Sequence, residues 1–168
     1  MNIKMLFILC LLGACYSGSV IAQGQFAGTK KGLLGKEFTD HNKNSLLKGY
    51  SWHQGDLISG KDDVPSQFLT IYFKGGDAII VYSVQKLQSA EAYQVADLIE
   101  LKQLPAGLDI RTAGCSEGNT EGQIIIALVK PGNKNYATVV KAWRCNRDKL
   151  RIEPLNIKSI RCMNEDGD

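Results

Sequence analysis

Residues 67–82 read Q-F-L-T-I-Y-F-K-G-G-D-A-I-I-V-Y. Two apolar runs rich in β-branched and aromatic residues flank Gly75 and Gly76, which is the pattern of a β-hairpin. Glycine supplies the positive φ that a tight turn demands. Alternation along the first run puts Phe68, Thr70 and Tyr72 on one face, with Leu69, Ile71 and Phe73 on the other. A sheet therefore occupies the middle of the chain.

Working outward, residues 89–101 fit two patterns. Tyr93, Val95, Ile99 and Leu101 suit a strand in which Asp97 is out of place, while Ala92, Val95, Ala96 and Ile99 suit a helix. The turn residues Pro105, Ala106 and Gly107 favour the strand. Further apolar runs follow at 108–113, 123–129, 136–145, 150–152 and 157–163, separated by turn residues. The run at 123–129 is unbroken, as expected of a strand covered on both faces. Trp143 alternates with Val139 and Cys145 and reads as core. Upstream, capping residues and Leu46-Leu47 predict a short helix starting near Asp40 or Ser45, kept brief by Gly49 and Gly55. The expected fold class is α+β, mostly β: an antiparallel sheet or meander with a short N-terminal helix, in one domain over 37–168.

The beginning of the chain reads as a leader. A basic head at 1–4 precedes eleven apolar residues at 5–15. At about 1.5 Å each these fall well short of a hydrocarbon core of roughly 30 Å, so they suit a signal peptide and not a membrane span. Cleavage after Ala22 gives a signal peptide over 1–22. The alternative is a lipoprotein signal over 1–14, with Leu12-Gly13-Ala14-Cys15 as lipobox and Cys15 lipidated. Residues 23–36, rich in Gly and Lys, read as a flexible tether.

The whole chain has 168 residues, 20 of them Lys or Arg and 17 Asp or Glu. Removing 1–22 takes away one Lys and no acid, leaving 19 bases against 17 acids. Those bases are spread along the chain, which speaks against a nucleic-acid partner. Lys30, Lys31 and Lys36 read as a solvated group, so a membrane enters only through a lipid anchor.

Cys115, Cys145 and Cys162 remain after the leader, with His41 and His53 as the two histidines and no C-x-x-C spacing. This set is poor for zinc, and no metal or other cofactor is expected. In an exported protein two of the three cysteines should pair. Cys115 with Cys162 is favoured, leaving Cys145 a buried thiol, and Cys145 with Cys162 is the rival.

Catalytic patterns fail one by one. Residues 114–118, G-C-S-E-G, satisfy the G-x-S-x-G pattern, yet both histidines precede Ser116 and no helix pattern follows it. A Cys–His pair between Cys115 or Cys145 and His53 is easy to imagine and has no supporting spacing. Asp62, Asp63 and Asp77 flank turns, where acids are ordinarily solvated. Gly35-Lys36 lacks the Ser or Thr of a P-loop, and the acidic end at 164–168 lacks the spacing of a calcium loop. No catalytic set is assigned. Tyr50, Trp52, His53, Asp62 and Asp63 are the candidate partner-binding residues, because aromatic side chains bring large rigid area at low entropy cost.

The segments Gly114-Cys115, 124–130, Ala142-Trp143-Arg144, Ile152-Glu153-Pro154 and Arg161-Cys162-Met163-Asn164-Glu165 resemble small uncharacterised exported proteins of Gram-negative bacteria. The resemblance covers roughly the last seventy residues. It implies a secreted β-rich domain and a Cys115–Cys162 pairing, and it carries no activity. The functional expectation is an exported, non-enzymatic binding protein of the periplasm or envelope, most concretely an immunity protein or inhibitor of a toxin or hydrolase. The alternatives are a small hydrolase using His53 or a carboxylate, and a lipoprotein with a structural role in the envelope.

Overall fold

The computed structural model describes residues 27–61, 64–118, 123–132 and 135–164. The stretch expected to be a leader, with Cys15, and the pair Asp62 and Asp63 lie outside the described residues. The chain is mostly β, in two antiparallel sheets with one small helix.

The hairpin forms as read. Strand β3 (Val64–Lys74) pairs with β4 (Asp77–Lys86), Lys74 opposite Asp77, and Gly75 takes φ 57° in the turn. With β1 (Glu37–Phe38), β2 (Ser51–Lys61) and β5 (Ser89–Leu101) it builds a sheet of order β1-β5-β4-β3-β2. Residues 89–101 are thus a strand. Asp97 looked out of place because the register shifts between Tyr82 and Ser83, which face Asp97 and Val95 and leave Ala96 as an extra residue. A bulge of this kind reverses the side-chain alternation beyond it.

The second sheet contains β6 (Asp109–Arg111), β8 (Ile125–Lys130), β9 (Tyr136–Asn146), β11 (Ile160–Met163) and β7 (Cys115–Glu117), in that order. A further strand, β10 (Arg151–Pro154), pairs with the far end of β9. β8 is covered on both faces, as its unbroken apolar run predicts. The expected alternation of Val139 with Trp143 does not hold. A register shift between Leu128 and Val129 turns Val139 to the opposite face.

The sheets face each other across Leu69, Ile71, Ala78, Ile80 and Tyr82 of the first and Ile126, Leu128 and Cys145 of the second. Trp143 packs against this core. Two smaller clusters lie on the outer faces. Phe38, Leu47, Tyr72, Ile79, Val81, Val95 and Leu98 cover the first sheet, while Ile125, Ala127, Val129, Ile160 and Cys162 belong to the second.

The helix near Asp40 or Ser45 is not formed. Its capping residues each hold a single turn instead: Asp40 accepts from the Asn42 N–H and Asn44 from the Leu46 N–H. The helix present is α1 (Ala27–Leu33), inside the stretch read as a tether. Gly35, at φ 74°, ends it, and Gly35 and Lys36 then exchange backbone hydrogen bonds with Val95. Leu33 packs on the outer cluster of the first sheet.

Candidate binding surface

The candidate residues of the 50–53 stretch are divided between two faces by the alternation of the strand, and a bulge follows directly in β2. Ser51 and Trp52 stand opposite Phe73 and Tyr72, whereas Gln54 stands opposite Ile71, so His53 is the extra residue. Trp52 shares the outer face with Tyr72, is 46% exposed, and lays its indole over Gly55. His53 meets Phe73 edge-on with ring centroids 4.9 Å apart. Tyr50 packs against the outer cluster; the Lys102 ammonium donates to its hydroxyl at 3.3 Å and Lys74 stands over its ring. Leu57, opposite Phe68, is a second exposed apolar residue on the outer face, at 62%. β2 lies at the open edge of its sheet.

Beside this strip is an aromatic box that the sequence did not announce. His41 lies within 5.0 Å, ring to ring, of Phe38, Phe68 and Tyr93. Its Nδ1 is 3.1 Å from the Thr70 hydroxyl, and its carbonyl accepts from the Tyr72 hydroxyl at 2.8 Å. Burial holds the imidazole below its ordinary pKa, against the opposing pull of Asp40. A histidine beside a hydroxyl invites a nucleophile reading, but Thr70 is only 1% exposed and no substrate reaches its oxygen. The pair fixes the 39–44 turn onto the sheet. Phe68 and Thr70 were legible as one face, but the arrival of His41 from 29 residues upstream was not.

Three further polar groups complete the picture. Gln54 donates to Thr112 at 2.9 Å and to Asp56 at 3.2 Å, and Thr112 donates to Asp56 at 2.5 Å, tying β2 to the segment after β6. Asp77 accepts from the Gln103 N–H and from Lys102, each at 2.9 Å, and these bonds hold its carboxyl below the usual range. Two acids of β5, Asp97 and Glu100, are buried, at 5% and 7% exposure.

Cys115 and Cys162 are bonded, joining directly opposed positions of β7 and β11. Ser116 therefore sits on a short paired strand, while both histidines pack on the first sheet. Cys145 is a buried free thiol. Burial, and then the charge of Asp97, push its pKa up to about 12. Among the described residues no group of three or more His, Cys, Asp and Glu is placed to hold a metal. None of their helices is long and apolar enough to cross a membrane.

Compared with protein-family models, with curated proteins and with solved structures, the chain matches none.

Proposed function

We propose that this is an exported, non-enzymatic binding protein of the periplasm or envelope, acting as an immunity protein or inhibitor against a toxin or hydrolase. The observation that carries this reading is the outer face of β2. Trp52 and Leu57 are large, exposed and fixed on a strand at a sheet edge. Rigid apolar anchors of this kind supply most of the energy in protein interfaces. Register shifts at three points interrupt β2, so its edge is a poor template for adding a strand. The contact is therefore made by side chains. The disulfide supports an oxidising compartment.

The test is affinity capture with the tagged, disulfide-intact protein from the envelope and secreted fractions of its own cells. The expected result is one stoichiometric partner that survives high salt. Trp52→Ala with Leu57→Ala should weaken capture by about thirtyfold or more, as loss of anchors does. Undiminished capture by the double variant, or no partner for the wild type, sinks the proposal.

A further inference from the structure

The two buried acids of β5 stand three positions apart and are treated oppositely by the fold. Asp97 is fully engaged. Lys30 reaches it at 2.5 Å, and it accepts from the N–H groups of Leu98 at 2.9 Å and Ile152 at 2.8 Å. Glu100 is nearly as buried, yet among the described residues its Oε1 has no hydrogen-bond partner. A buried carboxylate without a partner is costly unless a counter-charge arrives. The protein supplies that counter-charge to Asp97 from α1, whereas among the described residues no group donates to Glu100 Oε1.

Glu100 faces Ile79 across the ladder and forms part of the wall of a groove on the outer side of the first sheet. Leu33, Leu46, Leu47 and Ile79 give this groove an apolar lining, and its volume is about 340 Å³. That is the low end for a ligand site and suits a small molecule better than a stretch of polypeptide. Lys102, also on the groove, is already engaged by Asp77 and by the Tyr50 hydroxyl. Lys48 lines the groove too and is exposed to solvent. The groove is thus bordered by a carboxylate that has one buried, unpartnered oxygen among the described residues, an apolar wall, and a positive group beside solvent.

We propose that this groove binds a small zwitterion with an apolar body, the class of the aliphatic α-amino acids, its ammonium group on Glu100 and its acid group at Lys48. The proposal does not rest on β2 docking a protein, and its test is separate. The purified, disulfide-intact protein is titrated calorimetrically with L-leucine, with 3-methylbutylamine, which lacks the acid group, and with 4-methylpentanoate, which lacks the ammonium. The expected order of affinity is L-leucine, then the amine, then the acid. Glu100→Gln should weaken L-leucine about tenfold or more and erase the preference for amine over acid. Lys48→Met should bring L-leucine down to the affinity of the amine. Should Glu100→Gln fail to fold, the ligand order on the wild type decides alone. Three results overturn the proposal: the acid binding as tightly as L-leucine, no binding of any of the three at millimolar concentration, or the amine binding tighter than L-leucine. The last would assign the groove to the lysine side chain of a protein.

Discussion

The first sheet holds itself together along its length, whereas the second is fastened at its ends. β2 to β5 are consecutive strands of 10 to 13 residues, each hydrogen-bonded to the next over most of its course. β6, β7, β10 and β11 have only three or four residues each. So short a ladder has few bonds with which to fix its register, and side-chain ties do that work. The disulfide joins β7 to β11, the Arg111 guanidinium donates to the Met163 carbonyl, and the Asn164 amide donates to the Gly132 carbonyl at 2.7 Å. Apolar burial stabilises the long strands, while covalent and polar clamps secure the short ones.

The largest effect that would break this comparison concerns the disulfide. It closes a separation of 47 residues, for which loop-closure entropy gives about 4 kcal/mol. Replacing Cys115 and Cys162 by Ser should lower urea stability by about that amount. Under native conditions hydrogen exchange should rise in β7 and β11 and stay slow in β3 and β4. Equal loss of protection in both sheets would show that they are not fastened differently.

Ile80→Ala probes the other side of the contrast. Ile80 is fully buried between the sheets, so the truncation should cost about 3 kcal/mol in denaturant unfolding, with unchanged slope. A loss below about 1 kcal/mol would mean that the core can collapse around the gap.

Asp97→Ala tests a tie of the clamping kind placed in the first sheet. It leaves the Ile152 N–H without its acceptor and removes the anchor of Lys30, for an expected loss of about 2 kcal/mol. Faster exchange should appear at α1 and β10. Exchange changes confined to β3 and β4 would refute the role.

The smallest effect is a pH dependence from the aromatic box. The His41 pKa is lowered by burial, so the unfolded chain takes up its proton at a higher pH than the folded one. Stability is therefore greatest above the ordinary value of about 6.5 and declines as pH falls through the window down to the folded value. Denaturant curves at stepped pH should show a slope that His41→Phe reduces. An unchanged slope in that variant would remove the assignment.

These cases also mark what could be read from the chain alone. The β3–β4 hairpin was legible because Gly75-Gly76 and the alternation around it are local signals. β8 was legible because a strand covered on both faces has no polar interruption. Asp97 obscured β5 because a bulge shifts the alternation, and a bulge leaves no mark in composition. The 40–49 turns imitated a helix start because Asp40 and Asn44 serve turns and caps through the same side-chain acceptor. The aromatic box and the Glu100 groove were out of reach. They join separate segments of the chain, such as His41 with Phe68 and Leu33 with Glu100, and no periodicity links them. Of the candidate binding residues, simple alternation along β2 already separates Trp52 from His53, whereas the register shift between Trp52 and Gln54 leaves no local mark in the sequence.

Cys145 gives the molecule a built-in stopwatch. Only the thiolate reacts with an alkylating agent, and a buried thiol with a pKa near 12 holds almost none of it at neutral pH. Labelling must therefore wait until β9 parts from the core. With reagent in excess, the rate at which Cys145 is modified reports how often the inter-sheet space opens. The same enclosure keeps the Cys145 sulfur from attacking the Cys115–Cys162 bond, so exchange between these three cysteines runs on the same clock.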